Sequence, residues 1–283
     1  MPSAPEELRL EVPGLGLAAR AQGPAGGRRV LALHGWLDSA ASFDRLAPLL
    51  PELRIVALDL PGHGRSDHRP AGARYHFVDW PLDVAATAGA LGWERFSLLG
   101  HSMGAGIASL LAATLGDRVE RLVLLDGLAP GMTEPEDAPA RLAAAIAEHL
   151  APAPPARRYA SFEEAALRFS RARSELSAEG AAALASRAIR VDADGAAFSA
   201  DPRLRGTSPL RLSRAHVEAF LSRIRCPALL VRPAAGMPIG EGTWSALTAL
   251  VPGLEVAHVP GGHHAHLDDP APTAAAVRAF FAR

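Results

Sequence analysis

Lysine and asparagine are missing from this 283-residue chain, and cysteine occurs once, at Cys226. The first two absences read as codon usage and carry no functional weight. A lone cysteine excludes an internal disulfide framework and fits a reducing compartment. Charge of either sign is also lacking in excess: 29 basic residues face 30 acidic ones, giving a net charge of −1. With no dense basic run, neither a nucleic acid nor a lipid surface is the expected partner. No apolar run approaches the length needed to cross a bilayer. The opening "MPSAPEELRLEVPG" has neither the basic start nor the apolar stretch of a secretory leader, so the cytoplasm is the expected location.

What the chain does have is alternation. "LRLEV" and "GLGLAAR" read as an opening hairpin. Short apolar runs follow at 29–34 (RVLALH), 54–60 (RIVALDL), 95–100 (RFSLLG), 118–126 (RVERLVLLD), 226–232 (CPALLVR) and 254–259 (LEVAHV). They are rich in Val, Ile and Leu at both alternations, as parallel strands covered on two faces must be. Helical patterns lie between them, in "SFDRLAPLL", "DWPLDVAATAGALGW" and the terminal "PTAAAVRAFFAR". This order predicts an α/β protein with a mostly parallel sheet and helices on both faces. From 127 to 215 the pattern changes to Ala, Arg and Glu at helical spacing, broken by "APAPPARR", without a convincing strand. So long a stretch between two strands of one sheet is too large for a loop. The expected organisation is a core of 1–126 and 216–283 with a helical cap of 127–215.

Ser102 sits in "LLGHSMGAG", where Gly100 and Gly104 bracket it in the pattern G-x-S-x-G between a strand and a helix. Small residues there let the chain bend sharply and hold the hydroxyl outward. The start of the following helix offers unpaired amides and the positive end of a dipole. A serine needs a base, and "VPGGHHAHLDDP" offers three histidines after the last strand. His263, directly after Gly261 and Gly262, is best placed to fold back over the sheet edge; His264 and His266 fall in the next turn. The H-x-x-H pair His263 and His266 also has metal-ligand spacing, but lacks an obvious third ligand. A developing oxyanion needs two backbone donors. The Trp36 amide, in the strand-to-helix turn "LHGWLD", and the Met103 amide beside Ser102 are the candidates.

"HGWLDSAASFDRLAPLL", "ALDLPGHGRSDH", "LLGHSMG" and "GGHHAHLDDP", in this order, resemble the α/β-hydrolase fold superfamily, over essentially the full chain. Within it, "HGWLD", "LVLLDG" and "DPRLRGTSPLRLSRAHVEAFLSRIRCPALLV" resemble the serine hydrolase-like group, whose members are assigned as esterase-like hydrolases. The resemblance implies an eight-stranded sheet, Ser102 as nucleophile, His263 as base, and Trp36 and Met103 as oxyanion donors. It implies cleavage of a small carboxylic ester, with neither metal nor organic cofactor. Two other readings share the scaffold: a carbon-carbon bond hydrolase with the same triad, and a ligand-binding protein without catalysis.

One position departs from the family pattern. The triad acid usually follows the strand after the cap, but that segment reads "LLVRPAAGMPIGEG", with Gly236 where the acid is expected. Some members carry it instead at the end of the strand after the elbow helix, where this chain has Asp126. The order Ser102, Asp126, His263 keeps the fold's sequence of roles. Asp126 is the predicted acid, with Glu241 the alternative. Asp59, Gly62, His63, Gly64 and Ser66 in "DLPGHGRSD" read as a structural turn, Asp38 and Asp268 as residues that order their loops, and His101 as packing beneath the elbow.

Overall fold

A strand that is apolar at every position needs cover on both faces, and the five central runs find it. In the computed structural model, residues 4–151 and 157–283 are described; residues 1–3 and most of the "APAPPARR" break lie outside them. Elements in chain order are β1 (Glu6–Val12), β2 (Leu15–Gln22), β3 (Arg28–Leu33), β4 (Leu53–Leu58), α1 (Asp79–Ala90), β5 (Phe96–His101), α2 (Met103–Leu115) and β6 (Val119–Leu125). Then follow α3 (Ala138–Leu150), α4 (Phe162–Arg171), α5 (Ala178–Ala188), β7 (Ile189–Asp192), β8 (Gly195–Phe198) and α6 (Arg214–Leu221). The chain closes with β9 (Ala228–Ala235), α7 (Glu241–Thr248), β10 (Glu255–Gly262), α8 (Ala265–Asp268) and α9 (Pro270–Phe281).

Eight strands form one sheet in the order β1-β2-β4-β3-β5-β6-β9-β10. The first three pair antiparallel and the rest parallel. Side chains alternate across it. Leu31, Leu33, Val56, Leu58, Leu98, Leu122 and Leu124 enter the core on one face. Their neighbours Val30, Ala32, Ile55, Ala57, Leu99, Val123 and Leu125 enter the core on the other. The period of two is thus present, but both phases are apolar. Truncating one of these, such as Leu124→Ala, removes buried methylenes from a closed core at a cost of about 2–5 kcal/mol.

Because β3, β5, β6, β9 and β10 run parallel, their carboxyl ends share one edge, where α/β sheets bind ligands. Trp36, Ser102, Asp126 and His263 all lie just beyond that edge.

Two expectations differ from the structure. The "SFDRLAPLL" segment forms short 3-10 turns, Ala40–Phe43 and Ala47–Leu49, rather than an α-helix. Within 127–215 the helices α3, α4 and α5 are joined by the hairpin of β7 and β8. Its four-residue strands turn through Gly195 at φ 111°, with too few residues to display a strand period. The starts of α4 and α5 are set locally: the Ser161 hydroxyl accepts from Glu164 N–H, and that of Ser177 from Gly180 N–H. Among the described residues no helix is long and apolar enough to cross a membrane.

Candidate active site

Ser102 occupies the bend between β5 and α2 with φ 52° and ψ −114°, a conformation that L-residues avoid. Such a bend costs roughly 1–3 kcal/mol and persists only where surrounding contacts impose it. The two flanking glycines supply those contacts. A Cβ on Gly100 would stand 2.6 Å from Ala105 Cα, and one on Gly104 would drive into the Leu33 carbonyl at the end of β3. Glycine here lets the helix start press against two neighbouring strands, which fixes the bend.

Asp126 follows β6 directly, at φ 43°. Its amide donates to Val231 O at 2.9 Å, tying it to β9. The carboxylate is buried and receives the Met237 amide at 2.8 Å on Oδ2. On the same oxygen lies His263 Nδ1, at 2.6 Å. Gly236, the position expected to hold an acid, is filled from across the sheet: a Cβ there would overlap the Asp126 carboxyl group. Gly127 is equally constrained, since a Cβ would lie 2.7 Å from Ser102 O. Glu241 is elsewhere, exposed at the start of α7 and paired with Arg232 at 2.6 Å. Of the two candidate carboxylates, the structure brings Asp126 to His263 and leaves Glu241 apart.

His263 reaches this position through an irregularity in β10. Val259 pairs with Pro233 but Gly262 with Ala235, so one extra residue is accommodated, with Gly261 at φ 98°. Such a bulge re-aims the chain. The imidazole is partly exposed, and its Nδ1 is occupied by Asp126. Nε2 is the nitrogen left for chemistry. Among the described residues the Ser102 hydroxyl makes no hydrogen bond to it; nucleophile–base bonds of this kind commonly tighten when a substrate binds.

The two amides named from the sequence share a feature. Gly35 O accepts from His34 Nδ1 at 2.7 Å and from Asp38 N at 3.2 Å. Since the peptide is planar and trans, the Trp36 N–H on that unit faces the opposite way. Likewise Ser102 O accepts from Ala105 N at 3.0 Å, which orients the Met103 N–H. Neither N–H has an acceptor among the described residues. The Trp36 indole donates to Leu204 O at 3.2 Å.

Four histidines crowd beneath the bend. His101 is fully buried and donates from Nε2 to His263 O at 2.9 Å, leaving its Nδ1 unprotonated and without a partner. Burial holds His101 well below the usual imidazole range, with the nearby histidines adding to the effect. Burial likewise pushes His266, which meets Ser42 Oγ at 2.9 Å, down to about 3. His264 goes the other way: burial works against its charge, but the Asp38 carboxylate, 3.1 Å away, raises it. The two members of the H-x-x-H pair engage different partners, His263 meeting Asp126 and His266 meeting Ser42. Donor atoms of Asp38, His101 and His264 do gather within 4.8 Å of one another. Within that group Asp38 bonds His264 directly, and His101 Nδ1 lies 3.8 Å from the same carboxylate. Cys226 offers no competing nucleophile, its thiol being pushed up to about 11 by burial.

Sequence reasoning placed Asp38 in its loop but missed its bond to His264, and it missed Arg173 and Arg187 altogether. Arg187 on α5 is fully buried, with Nε 2.7 Å from Asp59 and Nη1 2.8 Å from Glu7. Partners 128 and 180 residues away leave no local signal.

Comparison with known proteins identifies the fold family. A family profile described as the α/β hydrolase fold matches residues 28–270. A serine hydrolase-like protein of Danio rerio is 33% identical over 99% of this chain and 89% of its own length. A solved structure of a hypothetical protein from Pseudomonas aeruginosa PAO1 is 48% identical and superposes with a TM-score of 0.92, covering 98% of this chain and all of that one. A thioesterase domain from the curacin biosynthetic pathway is 26% identical with a TM-score of 0.84, covering 96% of this chain and 98% of its own.

Proposed function

The chain belongs to the α/β hydrolase fold family and is a hydrolase, and from that premise we propose that it cleaves a small carboxylic ester through an acyl-enzyme formed on Ser102. The observation that carries this reading is the 2.6 Å contact between His263 Nδ1 and the buried Asp126, on the sheet edge where Ser102 is held in a strained bend.

His263 acts as base through Nε2. Asp126 accepts from Nδ1–H, which selects the tautomer whose Nε2 lone pair is free, and its charge stabilises the imidazolium that forms. Ser102 Oγ gives up its proton to Nε2 and bonds to the ester carbonyl carbon. The carbonyl oxygen becomes an oxyanion, which the Trp36 and Met103 amides receive. Both N–H groups are fixed in direction before substrate arrives, so little reorganisation accompanies the charge. As the tetrahedral adduct collapses, the C–O bond to the alcohol breaks and the imidazolium proton passes to the departing oxygen. A water then loses a proton to Nε2, attacks the acyl carbon, and releases the acid with Ser102 restored. We further assign 127–215 as a cap over this edge, bearing the acyl specificity.

A fluorophosphonate probe tests the reading. The wild-type chain is expected to be labelled stoichiometrically at pH 8 and to hydrolyse p-nitrophenyl esters, with both signals lost in Ser102→Ala. An unlabelled wild-type protein would instead make it a ligand-binding protein on a hydrolase scaffold.

A further inference from the structure

Asp38 has no part in that mechanism, yet it lies where the Trp36 loop, the end of β5 and the loop after His263 meet. It is buried at the end of the loop that carries Trp36. Its Oδ2 accepts from His264 Nε2 at 3.1 Å and lies 3.8 Å from His101 Nδ1. His264 adjoins the base in sequence, and His101 precedes the nucleophile and donates to the base's own carbonyl. Gly35 leaves room for this convergence: a Cβ there would lie 3.0 Å from His101 Nδ1 and 3.1 Å from Asp38 Oδ2. The other carboxylate oxygen, Oδ1, is 3.6 Å from Arg173, which follows α4. That guanidinium donates to Leu37 O at 2.7 Å, at a residue held at φ 61°, and lies 4.1 Å from the centre of the Phe169 ring.

The charges support the geometry. Burial alone would raise Asp38, but the hydrogen bond and charge of His264, with Arg173 beyond, bring it down to about 2. A buried carboxylate in this state is committed to its partners, since losing one leaves charge without compensation.

We infer that Asp38 is a positioning residue: it fixes the main chain beside His263 through its bond to His264, fixes the Trp36 amide through its own loop, and makes both depend on Arg173 of the 127–215 segment. The inference rests on the serine hydrolase reading above. It deepens that reading by linking the seating of the cap to the placement of base and oxyanion donor.

The test compares Asp38→Asn, Arg173→Gln and the double variant in the full-length protein, by fluorophosphonate labelling rate and by kcat and KM on a short p-nitrophenyl ester. Circular dichroism melts run alongside. A displacement of about 1 Å in a reacting group lowers rate about 100-fold. Asp38→Asn is therefore expected to lower kcat and the labelling rate about 100-fold with little change in KM. Arg173→Gln should lower them about 10-fold, and the double variant should be no slower than Asp38→Asn alone, because both act through one carboxylate. A folded Asp38→Asn with wild-type labelling and kcat would overturn the inference. So would effects of the two substitutions that simply multiply. Should Asp38→Asn not fold, Arg173→Gln decides alone, since an unchanged kcat there removes the link to the cap. A wild-type chain that resists the probe would defeat the hydrolase reading itself, a distinguishable failure.

Discussion

The sheet's carboxyl edge and the segment from α3 to β8 are built on different principles. At the edge, position is set by main chain. Every described non-glycine residue with positive φ lies there: Leu37, Ser102 and Asp126. Gly104, Gly127 and Gly236 leave no space for a Cβ against the chains they meet. In the α3-to-β8 segment, polar side chains cross to the core beside the apolar contact that Leu267 makes with the segment's own cluster. Arg173 reaches Leu37 and Asp38, Ser177 binds Asp268 at 2.7 Å, and buried Arg187 joins Asp59 to Glu7. The contrast separates two tasks. Backbone constraint fixes position at the edge, while hydrogen bonds and ion pairs from side chains join the segment to the core.

The contrast can be broken at its strongest point first. Asp126→Asn keeps the shape but removes the charge and reverses the tautomer preference of His263. It is expected to lower kcat about 10⁴-fold with the fold intact. Activity near wild type would mean that the edge geometry is inherited shape only. Next, Arg187→Met leaves Asp59, itself fully buried, without its cation, and should destabilise the protein by about 3–5 kcal/mol, read as a lower urea midpoint. A change below about 1 kcal/mol would show that the segment does not depend on this side chain. Third, Gly236→Ala places a methyl against the Asp126 carboxyl group and must push it from His263. The expected loss is about 100-fold in kcat with a smaller effect on stability. Unchanged kcat would mean that the edge tolerates movement and is not backbone-limited.

The same contrast explains what the sequence disclosed. Runs such as "RFSLLG" announce buried parallel strands because two apolar phases have few other uses, and G-x-S-x-G between strand and helix announces the bend because only small residues fit there. Asp126 was legible only by exclusion, from a glycine standing where an acid was expected. A side chain at Gly236 would overlap the carboxylate that follows β6, so only glycine fits beside it. Illegible were the contacts in which Arg173 and Arg187 take part, because a guanidinium in an Ala- and Glu-rich helical stretch looks the same whether it faces water or a partner more than a hundred residues away. The hairpin of β7 and β8 was hidden by brevity, and the 3-10 turns at 40–49 by an apolar spacing that a longer helix would also show.

The smallest expected effect sharpens the comparison from the outer side. On α3, Leu142, Ile146 and Leu150 follow one another at intervals of four and are 49%, 50% and 77% exposed, while Ala145 between them is buried. Little is removed from contact when side chains half or more exposed are shortened, so the triple change Leu142→Ser, Ile146→Ser and Leu150→Ser should move stability by no more than about 0.5 kcal/mol per site. Ala145→Glu should instead cost several kcal/mol, because it puts a charge into the one face of α3 that packs. Measured as urea midpoints, the two results should differ in direction of argument as well as size. If the triple variant falls as far as Ala145→Glu, the apolar stripe is covered in solution, and the α3 end of the segment is held by burial rather than by polar side chains alone.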